Sequence, residues 1–581
     1  MDIKRKDYDV VYPLSTPSGV ILEKNVYAIM RDGVKVSLDI YKPATGKGPW
    51  PVIIGYSGWP KEFFFESALP EFYCPNQYVI VQAQARGVGF SQGKFTMLGE
   101  SEVQDGYDIV EWIAQQTWCD GNIGMMGASY FGVSQWLTAL QNPPHLKCIV
   151  PCPGLTNHYK AFYYPGGVFS SFAVYLVSSV TQGAIWPGPI PGKELPEDFL
   201  TRVYANTTYG PFYEEHGDPW KRIDQIKVPV LSIVSAGNEL HAPTHLKSYI
   251  DIKAPKKLII TPWNGRVYQP FIFQTTSLNQ QILRWFDYWL KGIDTGIMDE
   301  PEVAIYDNGT GKWRYENEYP LARTRWTKFY LHERTAKTEP WGAISEVQPT
   351  KKENPDTYRH PSPPDKAQFL AFTTPPLEQD LVVRGPVSMT FYASTTEETL
   401  SDWSFFIKVG EMVPSGLPLN PVTKEPQIKP DGWLHTTNSW TPSEVQLWSF
   451  GNLKAKFREV DESRSKPGQP FHSFQNPTDL KPNTIYEFQV ELGPIFNTFK
   501  KGNKVWIQIA GEDPGYSTWD SSSLYLRRGI EEIPPMKHEI AIYHDSEHQS
   551  HLLLPIIPDA PEIATVKAPL RDVVPGAPRF R

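Results

Sequence analysis

The segment Gly127-Ala128-Ser129-Tyr130-Phe131-Gly132 combines the residue types that nucleophilic catalysis needs. A serine held in a sharp strand-to-helix turn demands small neighbours, because its strained backbone runs close to the chain on either side. Glycine two residues before Ser129 and three residues after it meets that demand. Such a turn also puts the next backbone N–H, that of Tyr130, at a helix N-terminus, where it can donate to a developing oxyanion. The chemistry implied is acyl transfer with Ser129 as nucleophile. The plainer alternative is a glycine-rich connection with a capping serine. A strand before the motif and a helix after it separate the two.

The sequence pattern supplies both. NIGMMGAS (122–129) reads as a buried strand, and Tyr130 to Leu140 as a helix. Upstream, PVIIGY (51–56) and YVIVQAQA (78–85) are short β-branched runs of the kind parallel sheets bury. Val103, Tyr107, Val110 and Ile113 then recur at helical spacing. Downstream, PVLSIVSA (229–236) and KKLIITPW (256–263) restore the strand rhythm. A helix carrying Leu278, Ile282, Phe286 and Trp289 follows and stops at Gly292. Between 154 and 227 the rhythm gives way to an aromatic, Pro/Gly-rich stretch, which predicts an inserted cap. Beyond about 320, alternating segments such as VSMTFYAS (387–394), TIYEFQVEL (484–492) and KVWIQIAG (504–511) predict an all-β sandwich. The expected division is therefore an α/β unit over 1–153 and 228–320, a cap over 154–227, a β-sandwich over 321–558 and a tail over 559–581. A loop within the sandwich is expected at 413–432.

Composition narrows the function. With 56 Lys+Arg against 64 Asp+Glu the net charge is −8, which argues against a nucleic-acid partner. Forty per cent apolar residues excludes disorder, and 55 prolines in 581 residues predict many loops. Four cysteines without CxxC spacing support neither a disulfide framework nor a zinc site. The N-terminal residues lack a signal-peptide core, and the apolar run 168–180 is too short to span a bilayer, so a soluble cytoplasmic protein is expected. His544, His548 and His551 have a spacing that suits a metal on a helix, but they fall between two strand-like runs. A solvated hairpin without metal is expected there. No phosphate-binding glycine loop is present, so no cofactor is implied. The expected partner is a small-molecule substrate; a homodimer is left open.

WCDGNIGMMGASYFGVSQW (118–136), ARGVGFSQGKF (85–95) and RWFDYWLKGID (284–294) together resemble the cocaine esterase (CocE/NonD) family of α/β-hydrolases. That family is related to X-Pro dipeptidyl-peptidases and α-amino acid ester hydrolases. The resemblance runs over residues 15–558 and includes EHQSHLLLPII (547–557), similar to the last strand of the family's jelly roll. It implies an α/β-hydrolase fold with an inserted helical cap and a C-terminal all-β jelly-roll domain. It also implies that Ser129 is the acyl-enzyme nucleophile and Tyr130 a backbone oxyanion donor. The remaining family positions are altered. The acid position holds Asn238, in SAGNELH; the base position holds Gly265, in PWNG; and residues 263–274 contain no His, Asp or Glu. The oxyanion tyrosine position holds Trp59, in GWPK, with Tyr56 near it, and Gln84 stands where the DxRG turn carries Asp.

A serine hydroxyl needs a base to take its proton. His241, three residues past Asn238, is the candidate, with Glu239 beside it to orient the ring and His245 a weaker substitute. On this reading the protein hydrolyses an ester, amide or related acyl group of an apolar or aromatic small molecule. The indole of Trp59 would help Tyr130 hold the oxyanion. Tyr56, Tyr159, Phe162, Tyr163 and Phe169, with Tyr164 and Trp186, would line the substrate pocket, although such residues also build cap cores. The alternative is a triad-depleted enzyme for proton transfer, elimination or cyclisation in specialised metabolism. A non-catalytic binding protein is the third reading.

Overall fold

Runs of β-branched and apolar residues bounded by turn residues form ten strands of one sheet: β1 (Val20–Ile29), β2 (Lys35–Pro43), β3 (Trp50–Ser57), β4 (Val79–Gln84), β5 (Cys119–Gly127), β6 (Leu146–Pro151), β7 (Val230–Ser235), β8 (Lys256–Thr261), β9 (Val303–Asp307) and β10 (Lys312–Glu316). The structure, a computed structural model, describes residues 19–61, 68–238, 240–262, 276–333, 341–360, 369–396, 403–413, 445–511 and 538–558. The strand order is β1-β2-β4-β3-β5-β6-β7-β8-β9-β10. Pairing is parallel from β4 through β9, and antiparallel at β1–β2–β4 and at β9–β10.

Because both faces of the central strands are covered, successive residues enter two different cores. Val52, Ile54, Ile123 and Met125 pack with Val133 and Trp136 of the Tyr130–Leu140 helix. Ile53, Met126 and Ile233 pack with Leu278, Ile282 and Phe286 of the Thr276–Lys291 helix on the other face. Gly292 ends that helix at φ +67°, a conformation glycine adopts without strain.

Between β6 and β7 lies a helical layer that includes Ser171–Ile185, Phe199–Ala205 and Pro211–Glu215. From Arg325 onward the described residues form strands and loops, apart from one short helical turn at Ala455–Phe457. An eleven-stranded sheet is built on the long antiparallel pair Leu381–Thr395 and Tyr486–Phe499. The α/β-hydrolase fold with an inserted helical cap and an all-β C-terminal domain is thus present. Among the described residues, no helix is long and apolar enough to cross a membrane. The loop expected at 413–432 falls, except for Val413, outside the described residues.

The expected solvated hairpin near the C-terminus is corrected. Strands His538–Tyr543 and His551–Ile556 do not pair with each other; both run along the same edge of Leu381–Thr395, one after the other. Residues 544–550 loop out between them, pinned where Ser550 Oγ accepts from Tyr392 N–H and donates to the Tyr543 carbonyl. His544 and Asp545 are buried rather than solvated.

Candidate active site

Ser129 sits at φ +57°, ψ −121°, between the end of β5 and the Tyr130–Leu140 helix. A non-glycine residue rarely holds positive φ without help. Here Ser129 N–H donates to the Pro153 carbonyl at 2.7 Å, and the Ser129 carbonyl accepts from Gly132 and Val133 N–H at 2.9 Å each. Gly132 is required by close approach, since a Cβ there would lie 2.4 Å from the Pro153 oxygen. The half-buried Ser129 therefore occupies a strained, over-determined turn at the carboxyl edge of the sheet. Tyr130 is the first helical residue, so its N–H precedes the helix hydrogen-bond ladder.

The Tyr130 ring turns inward. Its hydroxyl donates to Glu102 Oε1 at 2.5 Å, and a Cβ on Gly58 would come within 2.6 Å of it. Gly58 thus lets the Gly58-Trp59 turn lie against Tyr130, with half-buried Trp59 held by its N–H to Ser57 Oγ at 2.9 Å. Burial pushes the Glu102 carboxyl up to about 7, opposed by its bonds from Tyr130 and Leu98 N–H.

Beyond β7, Asn238 lies in the turn before the Ala242–Asp251 helix and holds His241, the residue that caps it. Asn238 Oδ1 lies 2.8 Å from the His241 backbone nitrogen and 2.9 Å from its ring Nδ1. The backbone N–H can only donate, so the Asn238 atom facing it is the oxygen, an acceptor. Nδ1 must then carry the proton, which leaves the lone pair on Nε2. Among the described residues, that buried Nε2 has no hydrogen-bond partner, and neither has Nε2 of His158 or of His245. Burial, and then the proximity of His245 and His158, hold His241 down to about 3. It is therefore neutral at ordinary pH.

His158 repeats the arrangement with a true carboxylate. Asp218 Oδ1 accepts from its backbone N–H at 2.7 Å and lies 3.3 Å from its Nδ1. Thr156 ties this segment to the Ala242–Asp251 helix through Thr244 and Ser248, which brings His158 toward His241. His245 packs against Trp136, with Nδ1 on the Gly154 backbone. Pro153 and Gly154 thus stand between the serine turn and the histidine cluster.

Residues 32–264 match the X-Pro dipeptidyl-peptidase (S15 family) model, and residues 295–553 match that of the X-Pro dipeptidyl-peptidase C-terminal non-catalytic domain. The cocaine esterase of Rhodococcus sp. (strain MB1 Bresler) is 24% identical over 92% of this chain and 98% of its own. The solved structure of a CocE/NonD family hydrolase from Staphylococcus aureus superposes with a TM-score of 0.77 at 22% identity, covering 93% of this chain and 94% of that one. An α-amino acid ester hydrolase structure gives 0.69 at 17% identity over 96% of this chain and all of that one. The chain is a homologue of cocaine esterase that carries both the S15-type X-Pro dipeptidyl-peptidase domain and its C-terminal non-catalytic domain.

Within this structure, several sequence expectations change. The Tyr56 hydroxyl donates to the Glu102 carbonyl at 2.9 Å inside the core, so it is not a substrate or oxyanion contact. Tyr159, Phe162, Tyr163 and Phe169 are 0 to 7% exposed and pack on one another and on their neighbours, building the cap core rather than lining a pocket. The Tyr159 hydroxyl is taken by the Thr207 carbonyl. Glu239 and residues 263–275 lie outside the described residues, and the orienting partner of His241 is Asn238. No hydrogen bond joins Ser129 Oγ to His241 Nε2. The residues that sequence reasoning missed are Asn238 as orienter and the Asp218–His158 pair. The first had a local signal, an Asn three residues before His at a helix start; the second spans 60 residues and had none.

Proposed function

We propose that the protein is a serine hydrolase acting on an ester, amide or related acyl group of an apolar or aromatic small molecule. Ser129 attacks the acyl carbon. His241 Nε2 takes the hydroxyl proton and returns it to the leaving group, and water then repeats the sequence on the acyl-enzyme. The Tyr130 N–H, with Trp59 across from it, receives the oxyanion. The observations that carry this reading are the positive-φ serine at a strand-to-helix turn and, across Pro153 and Gly154 from it, a buried histidine whose Nε2 lone pair is left by the Asn238 contact. The missing Ser129–His241 bond fits a free enzyme whose catalytic contacts tighten on substrate. Esterase relatives support the ester class.

A fluorophosphonate probe tests this. It labels the native protein at Ser129, fails on Ser129→Ala, reacts far more slowly with His241→Ala and is little affected in His158→Ala. Unlabelled protein that still turns over substrate overturns the proposal. The absent Ser129–His241 bond also favours a second reading, a non-hydrolytic reaction that uses only the oxyanion site. Turnover that survives Ser129→Ala selects it.

A further inference from the structure

A cavity of about 330 Å³ opens where the segment after β6, the Ala242–Asp251 helix and the all-β domain meet. Ser129, Tyr130, Trp59 and His241 do not line it. Its walls are largely aromatic and apolar, with Trp220, Phe471, Phe474 and Leu240 among them, yet cations project into it.

Two of those cations share one ring. Lys160 Nζ lies 4.2 Å from the centroid of Phe471 and 5.3 Å from that of Phe474. Arg464 Cζ lies 3.7 Å from the Phe471 centroid and 5.5 Å from that of Trp220. Neither side chain has an ion pair among the described residues. The acids of the cavity serve other cations: Glu491 pairs with Lys247 at 2.6 Å, and Asp251 with Lys466 at 3.6 Å. Ring faces attract cations but do not neutralise them. A recessed ammonium that shares a ring with a guanidinium is therefore electrostatically incomplete. Lys160 registers this, since burial and then repulsion from Lys247 lower it to about 7.

We propose that this cavity binds a small organic carboxylate with a flat apolar body, its carboxylate bridging Lys160 and Arg464 and its body against Trp220 and Phe474. Planar guanidinium donors match a carboxylate, and the surrounding rings supply apolar area that an inorganic anion would not use. The proposal does not depend on the chemistry of Ser129.

Calorimetric titration with phenylacetate and its neutral isostere phenylacetamide tests it. Phenylacetate binds saturably and at least tenfold tighter than the amide; Lys160→Met and Arg464→Gln each weaken it at least tenfold, while Ser129→Ala leaves it unchanged. Arg464 is exposed, so its replacement keeps the test sound if Lys160→Met folds poorly. At pH 8 binding takes up a proton, because the carboxylate restores charge to Lys160. The groups facing Lys160 are Lys247, Arg464, Lys466 and His472 on the positive or titratable side, and Glu491, Asp251 and Asp218 on the negative. Equal binding of the amide, no binding of phenylacetate, indifference to both cation variants, or loss in Ser129→Ala each overturns the proposal.

Discussion

Asn238 Oδ1 accepts two hydrogen bonds from one residue, from the backbone N–H of His241 at 2.8 Å and from its ring Nδ1–H at 2.9 Å. An amide so placed fixes the imidazole tautomer as a carboxylate would, but adds no charge to raise the basicity of the ring. With His241 held to about 3, the base is already deprotonated in mild acid. The pH–rate profile of kcat/KM should therefore stay flat from pH 8 to pH 5, without the limb near 6.5 that an ordinary histidine gives. Asn238→Ala frees the ring and should lower kcat by roughly 10²-fold, the scale of general-base assistance. Asn238→Asp keeps the acceptor, adds a charge and should move the acid limb upward. An unchanged rate in Asn238→Ala would remove His241 from the mechanism.

The serine turn makes a stability prediction. Gly132→Ala puts a Cβ 2.4 Å from the Pro153 oxygen and 2.8 Å from Gly154 Cα, both backbone atoms that cannot rotate away. The helix must shift, at a cost of about 1–3 kcal/mol, the usual range for overpacking. The 2.7 Å bond from Ser129 N–H to Pro153 should stretch with it. Urea unfolding reads the first effect and fluorophosphonate labelling the second. A variant that labels normally with an unchanged midpoint contradicts the close approach.

What the sequence shows and what it hides follow from the range of the interactions. The turn at Ser129 and the strands around it are legible because the two glycines, the β-branched runs and the helical spacing act locally. The helix from Thr276 announces its buried face through Leu278, Ile282 and Phe286. The cap aromatics are different: Tyr159 and Phe169 carry the same side chains whether they face a cavity or each other, and only packing decides. The Asp218–His158 pair joins residues 60 apart, and the collinear strands after His538 both depend on Leu381–Thr395 far upstream. Asn238 looks like a lost acid until the fold turns its amide onto His241.

Glu102 predicts a pH-dependent stability. Its carboxyl is buried, and burial raises it to about 7 against an ordinary value near 4.3. Between those values the folded protein binds a proton that the unfolded chain has released. Stability therefore falls as pH rises from about 4.3 to about 7, by a few kcal/mol at most. Glu102→Gln still bridges Tyr130 and Leu98 but cannot ionise, so this dependence should disappear from its unfolding free energies. A pH slope identical to that of the native protein would show that Glu102 does not titrate in this window.

His544 works in the opposite chemical sense in the all-β domain. Its Nδ1 lies 3.1 Å from Glu353 Oε2 and its Nε2 3.0 Å from Asp356 Oδ2, so both ring nitrogens face carboxylates. Burial disfavours the imidazolium, but Asp356 and Glu353 more than offset it, and the group titrates above its usual value. A raised histidine stabilises the fold fully below the unfolded value of about 6.5, and that stabilisation is lost as pH climbs through the folded value. His544→Gln retains hydrogen-bonding capacity without the charge. The native protein should therefore exceed this variant in thermal stability at pH 6, with the gap narrowing toward pH 9. A constant gap across that range would mean that His544 contributes by packing, for instance against Phe372, and not as a cation between two acids.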